Sequence, residues 1–189
     1  ISREPQAVRD AYGVKPGPAG SFARQCLMAP RLSEAGVRFV EIFLKSQPWD
    51  TQIMNADSLK GLCAMTDQPS AALVMDLKRR GLLDSTIVMW TGEFGRLPVS
   101  QKGPKPGRDH NPHAFTTWLC GAGVKGGTTF GATDEIGLRA EVDRVSIHDL
   151  HATILHLLGL DHTKLTYRYN GRDFRLTDVY GSVVKAVLA

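Results

Sequence analysis

The residues whose types and spacing suit chemistry fall between Asp50 and His110. In Thr86 to His113, TIVMWTGEFGRLPVSQKGPKPGRDHNPH, a continuous apolar run, Thr86-Ile87-Val88-Met89-Trp90, stops at Gly92. Glu93 comes next, followed by Gly95 and Arg96. A Gly- and Pro-rich loop then leads to Arg108-Asp109-His110. The apolar run predicts a strand buried on both faces of a parallel sheet. A carboxylate just past such a strand, with a histidine returned by the following loop, is how α/β sheets assemble ligand sites beyond the carboxyl ends of their strands. The chemistry expected there is the binding of a metal ion or an anion. A plainer reading fits the same residues equally well, with Glu93 capping a loop and His110 an ordinary surface histidine.

The elements that must position these side chains begin at Val37 to Leu44 (VRFVEIFL), whose β-branched and aromatic content predicts a buried strand. Pro48-Trp49-Asp50 follows closely, so Asp50 is a second carboxylate just past a strand end. An Asp in a turn is common in itself, but two carboxylates at equivalent addresses reinforce one another. Asp67 is placed to cap the next helix, with Leu73, Val74 and Leu77 on one face and Gly81 as its stop. Strand, helix and strand then predict a right-handed crossover between parallel strands, which brings Asp50 and Glu93 out on one sheet edge.

Elsewhere, residues 1–20 are polar and rich in turn formers, Pro5, Gly13, Pro16, Gly17, Pro18 and Gly20 among them, and predict a loose leading segment. Ser21 offers an N-cap for a helix to about Ala35, with Phe22, Cys26, Leu27 and Leu32 on its apolar side, Pro30 expected to kink or split it, and Gly36 as its stop. Ala114 to Cys120 predicts another strand. Gly121, Gly123, Gly126 and Gly127 fit a tight reversal and match neither a P-loop nor a dinucleotide fingerprint. Ser146 with Asp149 predicts a capping box opening a helix from Ile147 to Leu158, stopped by Gly159. His148, His151 and His156 ride on that helix; without a Glu-based zinc motif, capping and packing roles are favoured for them. A short helix over Asp178 to Leu188 is expected to close the chain.

At 189 residues and 42% hydrophobic content the chain suffices for one globular domain. Its 22% of charged residues argues against disorder. Cys26, Cys63 and Cys120 are scattered, without the spacing of a disulfide framework or zinc knuckle; Cys26 and Cys120 sit in apolar runs and are expected to be buried. The net charge of +4 is spread out. The one basic run, Lys78-Arg79-Arg80, falls in the last turn of a predicted helix, where cations complement the dipole, and no aromatic residues alternate with it. Nucleic-acid binding is therefore not expected, whereas an anionic substrate suits the balance. No apolar run is long enough to span a membrane. The start at Ile1, in the polar segment ISREPQAVRDAYG, reads as the interior of a longer protein.

TDQPSAALVMDLKRRGLLDSTIVMWTGEFGR, GRDHNPHAFTTWLCGAGVKGG, GATDEIG and HDLHATILHLLGLDH together resemble the DUF1501 family, a bacterial, sulfatase-like branch of the alkaline phosphatase superfamily. The resemblance covers essentially the whole chain and implies a single domain, residues 1–189, forming the C-terminal portion of a larger hydrolase. The implied fold is α/β: a mostly parallel sheet flanked by helices, alkaline phosphatase-like. The implied activity is hydrolysis of sulfate or phosphate esters with a divalent cation (zinc, calcium, magnesium or manganese). The implied substrate is a small anionic ester or a sulfated glycan. In that reading Asp50, Glu93 and His110 bind metal, Arg96 and Arg108 hold the anion's oxygens, and Asp109 orients His110. Exported relatives imply a periplasmic address.

The chain departs from the family pattern at two places. Gln52 stands where a histidine is expected after Asp50, and Phe94 replaces the second member of an Asp-His pair. The nucleophile and another metal-binding Asp are implied to lie in an N-terminal half, so these residues alone are expected to be inactive. Two readings follow: a hydrolase with one metal where relatives hold two, or a degenerate member that binds anionic glycans or envelope partners without turnover.

Overall fold

The computed structural model describes residues 1–17, 21–100 and 102–189. The Pro18 and Gly20 of the expected leading segment, and Gln101 of the loop before His110, lie outside them. In chain order the elements are α1 (Gln6–Ala11), α2 (Phe22–Glu34), α3 (Asn55–Arg79), β1 (Ile87–Trp90), β2 (Gly95–Arg96), β3 (His110–Asn111), β4 (Trp118–Gly121), β5 (Ala132–Thr133), β6 (Ala140–Val142), α4 (Ile147–Leu157), β7 (Thr166–Tyr169) and β8 (Arg172–Arg175). They divide into two compact units. The first holds Ile1–Leu83 and Arg96–His110; the second holds Asp84–Gly95 and Asn111–Ala189.

The mostly parallel sheet expected from the sequence is not found. Among the described residues there are four two-stranded sheets, β1–β4, β2–β3, β5–β6 and β7–β8, and the first, third and fourth are antiparallel. Val37 to Leu44 keeps the in-and-out alternation of a strand, with Val40, Ile42 and Leu44 turned partly inward while Phe39 and Phe43 are 77% and 69% exposed. It joins no ladder among the described residues. Side-chain pattern predicts an extended backbone, but a strand also needs a neighbour to satisfy its N–H and C=O groups. Without a first strand there is no right-handed crossover. β1 is correspondingly not buried on both faces: Met89 and Trp90 are each 42% exposed, and its partner β4 runs antiparallel, Trp90 opposite Trp118.

The first unit is helical. α2 starts after Ser21 and stops before Gly36, whose φ of 92° suits a residue without Cβ. It runs unbroken through Pro30, which is buried. α3 is longer than expected. It begins at Asn55, behind Met54 in the left-handed region (φ 53°), so Asp67 and Pro69 lie in its interior instead of opening it. Tyr12, Val14, Cys26, Leu27 and Ala72 form the core between α1, α2 and α3, with Val8, Phe22, Ile42 and Leu73 packed on it. At its margin Asp76 accepts hydrogen bonds from Tyr12 Oη (2.9 Å), Arg31 Nη1 (2.8 Å) and Arg80 Nε (2.9 Å). Arg31 also reaches Glu4 with both Nε and Nη2. Burial alone would raise the Asp76 carboxyl; the donors from Arg31, Arg80 and Tyr12 outweigh it and hold the group below its ordinary range.

The second unit is organised by α4. Ser146 and Asp149 form the expected capping box, the serine side chain accepting from Asp149 N and the Asp149 carboxylate from Ser146 N. The other oxygen of Asp149 accepts from Ser182 N (2.7 Å), and Thr153 Oγ1 accepts from Val184 N (2.9 Å), so the helix also anchors the C-terminal segment. That segment is not the helix expected over Asp178 to Leu188. Its regular helical part is a 3-10 turn, Lys185–Val187. Leu188 is extended and bridges Val124, with Lys125 N donating to Val187 O. β7 and β8 form a hairpin across Asn170-Gly171, both with positive φ (46° and 78°), the pairing a type I′ turn demands. No helix of the described residues is long and apolar enough to cross a membrane.

Candidate functional site

The chain between α2 and α3 makes a turn in which Asp50 N donates to Gln47 O and Thr51 N to Trp49 O. Thr51 is buried, and its hydroxyl donates to Asn55 Oδ1 (2.6 Å) at the start of α3, which fixes the residues on either side. The loop before His110 lies against this turn. Arg108 N donates to Thr51 O (3.1 Å), Asn55 N to Pro106 O (3.0 Å) and Met54 N to Lys105 O (3.4 Å). The approach is close at Gly107, where any Cβ would fall on the Gln52 carbonyl. Leu97 N donates to Asp109 O (2.8 Å), which carries Arg96 and His110 side by side.

These backbone contacts bring Asp50, Gln52, Arg96 and His110 together. His110 Nε2 lies 2.9 Å from Asp50 Oδ1, and Arg96 Nη1 donates to the same oxygen at 3.0 Å. Gln52 Nε2 is 3.2 Å from His110 Nε2 and 3.5 Å from Asp50 Oδ2. The side chains remain accessible, with 27% of Asp50, 23% of Arg96 and 41% of His110 exposed. The hydrogen bond with His110, against partial desolvation and helped by the Arg96 charge, holds the Asp50 carboxyl below its ordinary range. It is therefore an anion at neutral pH, as a cation ligand must be.

Three of the residues singled out from the sequence thus meet, Asp50, Arg96 and His110, although 46 and 60 positions separate the latter two from Asp50. The others are placed differently. Glu93 belongs to the second unit, exposed after β1. Arg108 directs Nη1 to Leu97 O (2.8 Å) and so braces the loop. Asp109 Oδ1 accepts from the backbone N–H of His110 (2.7 Å), so it fixes the residue's main chain and not its ring. Among the described residues no group of three or more His, Cys, Asp or Glu side chains is gathered to hold a metal ion. Gln52 is the member of the cluster that sequence reasoning set aside, because an amide is a weak ligand. Asn111 was missed as well. It is fully buried, its Nδ2 donating to Leu138 O and its Oδ1 accepting from His113 N, and so it anchors the chain just after His110.

His148 packs its ring on Tyr180 (centroids 5.2 Å apart), in keeping with the packing role expected of it. Cys26 is buried, Cys120 half-buried and Cys63 exposed.

No curated protein and no solved structure matches this chain. The family profile described as "Protein of unknown function (DUF1501)" matches residues 1–188, and the chain belongs to that family.

Proposed function

We propose that this chain carries part of the site of a hydrolase for sulfate or phosphate esters, of the sulfatase-like kind within the alkaline phosphatase superfamily, in which Asp50 and His110 hold one divalent cation. The observation that carries the reading is the convergence of an imidazole and a guanidinium on one oxygen of the Asp50 carboxylate, Oδ1. Oxygen and imidazole donors suit a hard or borderline cation. Cis ligands about 2.1 Å from such an ion stand roughly 3 Å apart, which is the spacing of Asp50 Oδ1 and His110 Nε2. A bound cation would polarise a phosphoryl or sulfuryl oxygen of the ester. Asp50 supplies the negative charge, His110 presents Nε2, and Arg96 holds the anion's remaining oxygens with its planar fork. Arg108 and Asp109 keep the loop in place through the backbone.

A second reading, a degenerate member that binds anionic glycans or envelope partners without turnover, draws on Gln52 and Phe94, which stand where a histidine and the second member of an Asp-His pair are expected and so reduce the donor set. The two are separated by assaying the full natural polypeptide against aryl sulfates and aryl phosphates, with and without a chelator. Hydrolysis that disappears with chelator, and whose KM rises at least about tenfold in Arg96→Ala, supports the hydrolase. Saturable binding of those anions without turnover supports the binding protein.

A further inference from the structure

We propose that Val37 to Lys45 is an edge at which two copies of this chain pair, as antiparallel strands related by a twofold axis at Phe43. The observation behind it is a row of backbone groups left without partners, on a segment already held in the conformation of a strand.

Val37 N donates to Leu32 O at the end of α2, and the next backbone bonds fall in the turn from Gln47 to Thr51. From Arg38 to Ser46 no backbone N–H or C=O is hydrogen-bonded among the described residues. The segment is nonetheless seated. Ile42 packs on the core of the first unit, and Val40 and Leu44 turn partly inward beside it. Phe39 and Phe43, on the other face, are 77% and 69% exposed. Exposed apolar side chains alone would not say what covers them. A row of unpaired N–H and C=O groups does, because another extended backbone matches it group for group, as in strand addition at an exposed edge. No proline interrupts residues 37–45 to prevent such pairing.

The segment is also complementary to itself. A twofold axis that relates two antiparallel strands stands perpendicular to the ribbon, so each face of one copy continues into the same face of the other. Side chains alternate between faces, so odd-numbered residues meet odd-numbered residues across the axis. Arg38 and Glu41 therefore never oppose each other. Centring on Phe43 sets Glu41 opposite Lys45 on both sides of the axis, Phe43 opposite its own copy, and Ile42 opposite Leu44. Opposite charges and paired aromatic rings both stabilise a cross-strand contact. Centring on Glu41 would set two glutamates face to face, which is destabilising. No other centre within residues 37–45 joins opposite charges. Glu41 and Lys45 are both exposed, so the pairing meets them on an accessible edge. Such a contact uses the same patch on both copies and closes at two.

The test is sedimentation velocity of the full natural polypeptide over a range of concentrations, with amide hydrogen exchange of residues 38–46 as a second readout. It is repeated on Lys45→Glu, Glu41→Lys and the double variant Glu41→Lys with Lys45→Glu, each checked for an unchanged circular dichroism spectrum. A concentration-dependent dimer is expected, with exchange of the segment slowed in it. Each single variant opposes like charges at two symmetry-related places and is expected to raise the dimer dissociation constant at least about fivefold. The double variant exchanges the two charges and is expected to restore the dimer. A monomer at every concentration would overturn the proposal, and slow exchange of the segment in that monomer would assign the pairing strand to the same polypeptide. A dimer that none of the variants alters would place the interface elsewhere and overturn it as well.

Discussion

His110 Nε2 and Asp50 Oδ1 stand 2.9 Å apart although sixty positions separate the two residues in the chain. The pairing is made by backbone, since the loop of Lys105 to Arg108 lies along Thr51 to Asn55 and carries His110 to the carboxylate. The site therefore depends on contacts remote from its own functional groups.

Gly107 is the most sensitive of these. A methyl there would land on the Gln52 carbonyl, a backbone atom that cannot move aside without moving Asp50. Gly107→Ala is expected to cost about 1–3 kcal/mol in denaturant unfolding and to weaken cation binding at least tenfold. Unchanged stability together with unchanged cation affinity would show that the loop is not seated in this way.

Asp76 makes the first unit sensitive to acid. Its carboxyl is held below the ordinary range, the donors from Arg31, Arg80 and Tyr12 outweighing burial. A depressed folded-state value means stability that is present above the unfolded value, near 4, and lost as the pH falls through the folded one. Unfolding free energy of the chain should therefore decline below about pH 4, and Asp76→Asn should flatten part of that decline. At neutral pH the same variant is expected to cost about 2–4 kcal/mol, because two arginines lose their common counter-charge and one of the two acceptor oxygens shared by them and Tyr12 becomes an NH2 donor.

The capping box of α4 separates local from long-range effects. Ser146→Ala removes one acceptor at the helix start and should cost about 1 kcal/mol. Asp149→Ala removes the partner of Ser146 N and of Ser182 N at once, and so should cost more. Protease cutting near Ser182 should rise in Asp149→Ala and not in Ser146→Ala; equal cutting in both would show that Asp149 does not hold the C-terminal segment.

Local chemistry of the chain was legible in its sequence; its pairing partners were not. Ser146 and Asp149 announce a helix start because both halves of the box lie within one turn. That Asp50, Arg96 and His110 come together was only partly legible: Asp50 and Arg96 follow apolar runs and His110 lies in the Gly- and Pro-rich loop after one, but their meeting depends on backbone contacts between distant segments. Val37 to Leu44 has the alternation of a strand, yet whether a strand forms depends on a neighbouring backbone that its residues do not encode. At α3, Asp67 looks like an N-cap, so the helix is expected to begin there; the turn at Met54 and the contacts of Asn55 start it twelve residues earlier than Asp67. Gln52 was discounted on ligand strength alone, since its closeness to both Asp50 and His110 depends on the glycine at 107.

The measurement that tests the central claim most directly is calorimetric titration of the chain with Mn2+, repeated on Asp50→Asn and His110→Ala. One site is expected in the unaltered chain, weakened at least about tenfold in each variant. Absence of binding in the unaltered chain, or equal binding in all three, would contradict the account.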